Sequence, residues 1–91
     1  MVNVTEKAKQ ELKRLLDASV DWPWAILRLI DKGEGKYGIG VDVEAADDYI
    51  VEYGGRKLLA VESKLASRAN KINLDYEYNT DWEGLVISEE P

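Results

Sequence analysis

The sequence predicts an α+β fold in which an N-terminal amphipathic helix packs on a mainly antiparallel β-structure of six or so short strands. Three observations predict it: an apolar stripe at helical spacing near the start, alternating apolar and polar runs through the remainder, and glycine-rich turns between those runs. At 91 residues, with no repeat, linker or low-complexity stretch, the chain reads as one domain over 1–91.

Thr5 is the expected helix cap, with Glu6 in the first turn, where the helix dipole favours negative charge. Ala8, Leu12, Leu15 and Leu16 fall on one stripe and charged residues occupy the other faces, so the helix should run to about Ala18. Trp24 to Ile30 is short and nearly all apolar, which suggests a strand buried on both faces with Arg28 as its one polar interruption. Ile39, Val41 and Val43 alternate with Gly40 and Asp42 as a half-buried strand, and an acidic turn spans Glu44 to Asp48.

Tyr49 to Tyr53, the Gly54-Gly55 turn and Arg56 to Val61 read as a hairpin. Glu62 to Ala69 should hold a helical turn capped by Ser63 and anchored by Leu65. Ile72, Leu74, Tyr76 and Tyr78 share one face of the next strand, and Leu85-Val86-Ile87 forms a short last one.

The chain contains neither cysteine nor histidine. Thiolate nucleophiles, disulfides, zinc-finger sites and the commonest acid–base switch are therefore excluded. Eighteen acidic residues against 12 basic ones give a net charge of −6, which argues against nucleic acid as a partner. No apolar run approaches the ~20 residues of a membrane helix and no signal-peptide core precedes the first helix, so the expectation is a cytoplasmic protein with no membrane partner.

Gly33-Glu34-Gly35-Lys36-Tyr37-Gly38 matches Gly-x-Gly-x-x-Gly, but a dinucleotide site needs a helix at the third glycine, and a strand is expected there. The stretch reads instead as a β-connection whose glycines permit positive φ or close backbone approach. Asp42 and Glu44, and likewise Asp75 and Glu77, stand two apart on a strand and are weak carboxylate candidates for a hard cation. Their other reading is a solvent face. With no catalytic residues identified, no enzyme is expected and no cofactor is assigned. Pro23 stiffens Trp22-Pro23-Trp24, whose indoles either cover one end of the core or present an anchor for a partner. Trp22, Trp24, Tyr37, Tyr53 and Trp82 are the interaction candidates.

The order of these elements resembles the HesB-like domain of A-type iron–sulfur cluster carriers. The resemblance rests on the capped helix, Leu27-Arg28-Leu29, and Lys32 to Ile39 matching a Lys-Gly-Gly-Gly-Cys-Ser-Gly-Leu-like loop without a gap. It continues through Asp48 to Val61 with Gly55, Lys57 and Leu59, then Ser63-Lys64-Leu65, Leu74-Asp75-Tyr76 and Gly84-Leu85-Val86-Ile87. It implies a single HesB-like domain over 1–91 and a link to iron–sulfur cluster biosynthesis. The family binds iron or a cluster through one loop cysteine and a later Cys-Gly-Cys. Lys36 replaces the loop cysteine, and Ser88-Glu89-Glu90-Pro91 offers no counterpart to the pair.

The resemblance therefore implies a degenerate carrier: a non-catalytic binding or accessory protein, unable to hold a cluster through thiolates, with iron–sulfur assembly components as expected partners. Lys36 is expected on a solvent-accessible loop where the family's metal site would open. The alternatives are a protein-interaction module unrelated to cluster assembly, homodimeric in one form, or a weak carboxylate-based metal or small-ligand binder.

Overall fold

Thr5 starts the helix as its sequence position predicts: its Oγ1 accepts a hydrogen bond from the Ala8 amide at 3.2 Å. The same hydroxyl donates to Asp75 at 2.8 Å, tying the cap to a distant strand. The computed structural model describes residues 2–19, 23–68, 70–78 and 83–90. Its elements are β1 (Val2–Val4), α1 (Glu6–Ser19), β2 (Ala25–Gly33), β3 (Lys36–Val43), β4 (Tyr49–Tyr53), β5 (Arg56–Val61), α2 (Ser63–Ala66), β6 (Lys71–Tyr78) and β7 (Glu83–Glu90).

The strands form two mixed sheets, one in the order β1-β6-β7 and the other β3-β2-β5-β4. The β2–β3, β4–β5 and β6–β7 pairings are antiparallel, whereas β1–β6 and β2–β5 are parallel. Both sheets and the helix share one core. Ala8, Leu12 and Leu16 of α1 meet Leu27, Leu29, Leu58, Leu59 and Val61 of one sheet and Ile72 and Leu74 of the other, all buried. Each of the larger side chains contributes about 1.5–3 kcal/mol by leaving water. Among the described residues, no helix is long and apolar enough to cross a membrane.

The structure revises several sequence expectations. β1 lies within the first four residues, ahead of the helix, and pairs with Ile72 to Leu74, a non-local match that no local pattern announces. β7 runs eight residues rather than three, because its backbone stays paired with β6 from Tyr78↔Glu83 to Lys71↔Glu90 whatever the side chains. Ser63 is the first helical residue and not a cap; Glu62 occupies the cap position with no side-chain bond. The turn expected to reach Ala69 closes at Ala66, and Ala69 itself lies outside the described residues. β2 is not buried throughout: Ile26, Leu27 and Leu29 are buried, but Ile30 is exposed.

β3 carries two glycines for a steric reason. A Cβ on Gly40 would stand 2.8 Å from Ile30 Cδ1, and one on Gly38 would stand 2.8 Å from Lys32 Cε. The side chains of Ile30 and Lys32 thus lie across the backbone of the neighbouring strand, where glycine leaves room.

Candidate functional site

The β2–β3 hairpin closes through the two-residue turn Glu34-Gly35, with φ values of 55° and 74°. Positive φ at both central positions is the geometry that matches the twist of paired strands. Gly33, at φ 85°, leads into the turn, and its amide donates to Asp31 at 2.8 Å. Lys36, expected on a loop, is instead the first residue of β3, paired with Gly33, and its side chain is exposed.

Around this hairpin lies a polar cluster drawn from four segments. The Tyr37 hydroxyl donates to Glu89 of β7 at 2.8 Å, and the Asn70 amide donates to the other carboxylate oxygen at 2.6 Å. Arg68 donates to Asp31 at 2.7 Å. The bonds from Asn70 and Tyr37 hold the Glu89 carboxyl below its ordinary range. Burial, reinforced by Glu89, pushes the Tyr37 phenol up. Asp31 is lowered by the Gly33 amide and then by Arg68. This arrangement fastens β7 and the segment before β6 to the hairpin.

The opposite end of the same strand pair is organised by Arg28. Its guanidinium grips both oxygens of Asp48 at 3.1 and 2.6 Å, and also donates to Asp42 at 2.7 Å and the Val43 carbonyl at 3.1 Å. Asp48 in turn accepts from the Ala45 amide at 2.8 Å, so the acidic loop is folded around its own carboxylate. Arg28 is the main cause of the lowered Asp48 pKa; for Asp42 the Val43 amide acts first and Arg28 second. Sequence reading saw Arg28 as an interruption and Asp48 as one acid of a turn. The signal for their pairing is a lone arginine in an apolar strand, which must find an acid somewhere.

The four candidate carboxylates are not brought together. Asp42 is held by Arg28 and Glu44 by Lys57 at 2.8 Å, whereas Asp75, in the other sheet, accepts from Thr5. Glu77 is exposed. Among the described residues, no group of three or more acids stands close enough to hold a metal ion.

The aromatic candidates also separate. Trp24 is 69% exposed and shares a groove with Val43, Glu44, Arg56 and Lys57. Tyr37 and Tyr53 are half-buried against the core. Trp22 and Trp82 lie outside the described residues. A groove of about 580 Å³ was not anticipated: Lys7, Gln10, Glu11 and Arg14 of α1 face Tyr76 and Tyr78 of β6 across it. The apolar face of β6 leaves the core there, with Tyr78 exposed where Ile72 and Leu74 are buried.

No protein-family model matches the sequence, and no curated protein matches it either. Solved structures do match the fold. Escherichia coli SufA, described as involved in biosynthesis of iron–sulfur clusters, superposes with a TM-score of 0.59 at 17% identity, over 94% of this chain and 77% of that one. IscA, solved with a [2Fe-2S] cluster, gives a TM-score of 0.59 at 23% identity, over 100% of this chain and 86% of that one.

The residues present do not fit such a cluster. Thiolates, or histidines in their place, hold iron–sulfur centres, and the hairpin offers an ammonium, a phenol, an amide and carboxylates that are already hydrogen-bonded. This chain therefore has the HesB-like fold of SufA and IscA, with no cysteine in its sequence.

Proposed function

We propose that this protein is a non-catalytic accessory or binding protein of iron–sulfur cluster assembly that does not itself carry a cluster. The fold-level likeness to SufA and IscA supports the link to assembly. Lys36 is the observation that carries the second half. At the position matched to the loop cysteine stands an exposed cation, which repels iron instead of ligating it.

Anaerobic reconstitution with ferrous iron and sulfide tests that half. Iron and sulfide analysis should return background values, and a stoichiometric cluster would overturn the reading. Affinity capture from native lysate tests the link to assembly: cluster-assembly proteins are expected among the prey, and their absence removes it.

A second reading, an interaction module unrelated to cluster assembly, is favoured by the exposure of Trp24 beside Arg56 and Lys57. Tryptophan with arginine is a frequent composition of binding hot spots. Under this reading Trp24→Ala abolishes capture of whatever partner is found; under the first reading a Trp24→Ala protein still captures the assembly components.

A further inference from the structure

Ile72, Leu74, Tyr76 and Tyr78 alternate along one face of β6. The first two are buried in the core, whereas Tyr76 is half-buried and Tyr78 is 75% exposed. The groove of about 580 Å³ between these tyrosines and α1 has the size of a small-molecule site. On its helix side Lys7, Gln10 and Arg14 recur at spacings of three and four, so they line one ridge. A wall of aromatic rings thus stands opposite a wall of hydrogen-bond donors.

Two of the three charges in the groove are committed to each other. Glu11, whose side chain is 11% exposed, accepts from Arg14 Nε through both oxygens, at 2.6 and 3.2 Å. Lys7 differs. Its side chain is exposed, and its ammonium makes no hydrogen bond or ion pair among the described residues. Asp75 does not neutralise it by contact: that carboxylate accepts from the Thr5 hydroxyl and the Tyr76 amide, each at 2.8 Å. The Gln10 amide and the Tyr78 hydroxyl likewise have no partner among the described residues.

We infer that this groove binds a small planar aromatic carboxylate, its ring laid against Tyr78 and its carboxylate on the Lys7 ammonium and the Gln10 amide. Tyrosine faces take flat rings in offset stacks, and an ammonium–carboxylate contact is among the stronger hydrogen bonds. An aromatic cation would gain the same ring contact but would meet Lys7, with Glu11 already paired to Arg14. The groove at Trp24 also sets an aromatic ring beside cations, yet there Arg56 is paired with Asp17 and Lys57 with Glu44. The net charge of −6 opposes an anion at long range, but at physiological ionic strength it is screened over ~8 Å. Lys7 acts well inside that distance, on a helix with four basic residues to three acidic ones.

Amide nuclear magnetic resonance during titration with naphthoate tests the site. Saturable shifts are expected at Lys7, Gln10, Glu11, Tyr76 and Tyr78, with a dissociation constant below ~1 mM. Cyclohexanecarboxylate keeps the charge without the aromatic face, and naphthylmethylammonium keeps the face with the opposite charge. Each should bind at least about tenfold more weakly. Lys7→Gln and Tyr78→Ala should each weaken naphthoate binding about tenfold, whereas Lys64→Gln on α2 should leave it unchanged. All three positions are exposed, and near-ultraviolet circular dichroism checks that each variant is folded.

No saturable shift up to ~10 mM naphthoate overturns the assignment, as do shifts centred on Trp24. Equal binding of naphthylmethylammonium overturns the choice of an anion. Binding indifferent to Lys7→Gln or to Tyr78→Ala, or lost in Lys64→Gln, overturns the site.

Discussion

The β2–β3 ladder is fastened at both ends, by different physics. At one end Arg28 closes a fork on Asp48, whose side chain is 4% exposed. At the other, Glu89 collects bonds from Tyr37 and Asn70 at the surface. The first is a charge pair withdrawn from water, where each partner depends on the other. The second is a set of hydrogen bonds with one solvent-exposed ion pair, Arg68–Asp31, which water can replace or screen. The well-anchored end lies far from Lys36, and the lightly fastened end contains it. Leu27-Arg28-Leu29 thus lies at the end held by the buried charge pair, and Lys36 at the end held at the surface.

The sharpest way to break this contrast is Asp48→Ala. It leaves the Arg28 guanidinium half-buried with only Asp42 and a carbonyl for partners, and it releases the Ala45 amide. A loss of about 3 kcal/mol in urea unfolding is expected. The double variant Arg28→Met with Asp48→Leu should recover most of that loss, because no charge is then stranded. If Asp48→Ala costs no more than a surface substitution, the two ends are not different in kind.

Acid should expose the same asymmetry. Asp48 titrates below its ordinary range in the folded chain, so its pairing stabilises fully above about pH 4 and is lost as the pH falls through the lower folded value. The parent protein should therefore lose stability more steeply below about pH 4 than Asp48→Asn, which has no carboxylate to protonate. Unfolding midpoints measured between pH 6 and pH 2.5 give both slopes. Parallel curves would remove Asp48 as a source of acid sensitivity.

How much of each end was legible follows from chain distance. The Gly54-Gly55 hairpin, the Thr5 cap and the Ala8-Leu12-Leu16 stripe are local, and the structure places them where their patterns predict. β1 was missed because three residues carry no period, and its partner lies about seventy residues away. The Arg28–Asp48 and Tyr37–Glu89 links join residues 20 and 52 positions apart, so each partner was visible but the pairing was not. Burial misled on β2 and β3: Ile30, Val41 and Val43 are apolar residues of the expected strands and are exposed. The exposure of Lys36 was predictable; the bonds that Tyr37, next in the chain, and Asn70 make to Glu89 were not.

The two hairpins of the four-stranded sheet sharpen the comparison on a smaller scale. The β4–β5 turn uses Gly54-Gly55 at φ 59° and 79°, whereas the β2–β3 turn places Glu34 at φ 55°. A side chain in that region costs about 1 kcal/mol relative to glycine. Glu34→Gly should therefore stabilise the protein by up to about 1 kcal/mol, whereas Gly54→Ala should destabilise it by a similar amount. Equal and opposite shifts in thermal midpoint would assign the effect to backbone conformation. A loss in Glu34→Gly would instead mean that the Glu34 side chain makes a stabilising interaction of its own.

The smallest expected effect isolates the hairpin clasp itself. Tyr37→Phe keeps the ring that packs against the core and removes only the hydroxyl that donates to Glu89. Because water can take its place, global stability should fall by only about 0.5 kcal/mol. The local consequence should be larger than the global one. β7 remains paired with β6 along its length, so the strand does not unfold, but its Glu89 end loses its tie to the hairpin. Hydrogen exchange should accelerate selectively at the amides near Glu89 and around Gly35, leaving Leu27, Leu59 and Leu74 unchanged. Uniform acceleration would mean that the hydroxyl supports the whole fold and that the two ends share one cooperative unit. No acceleration anywhere would mean that Asn70 alone secures Glu89, and that the end of the molecule carrying Lys36 is fastened more firmly than its exposure suggests.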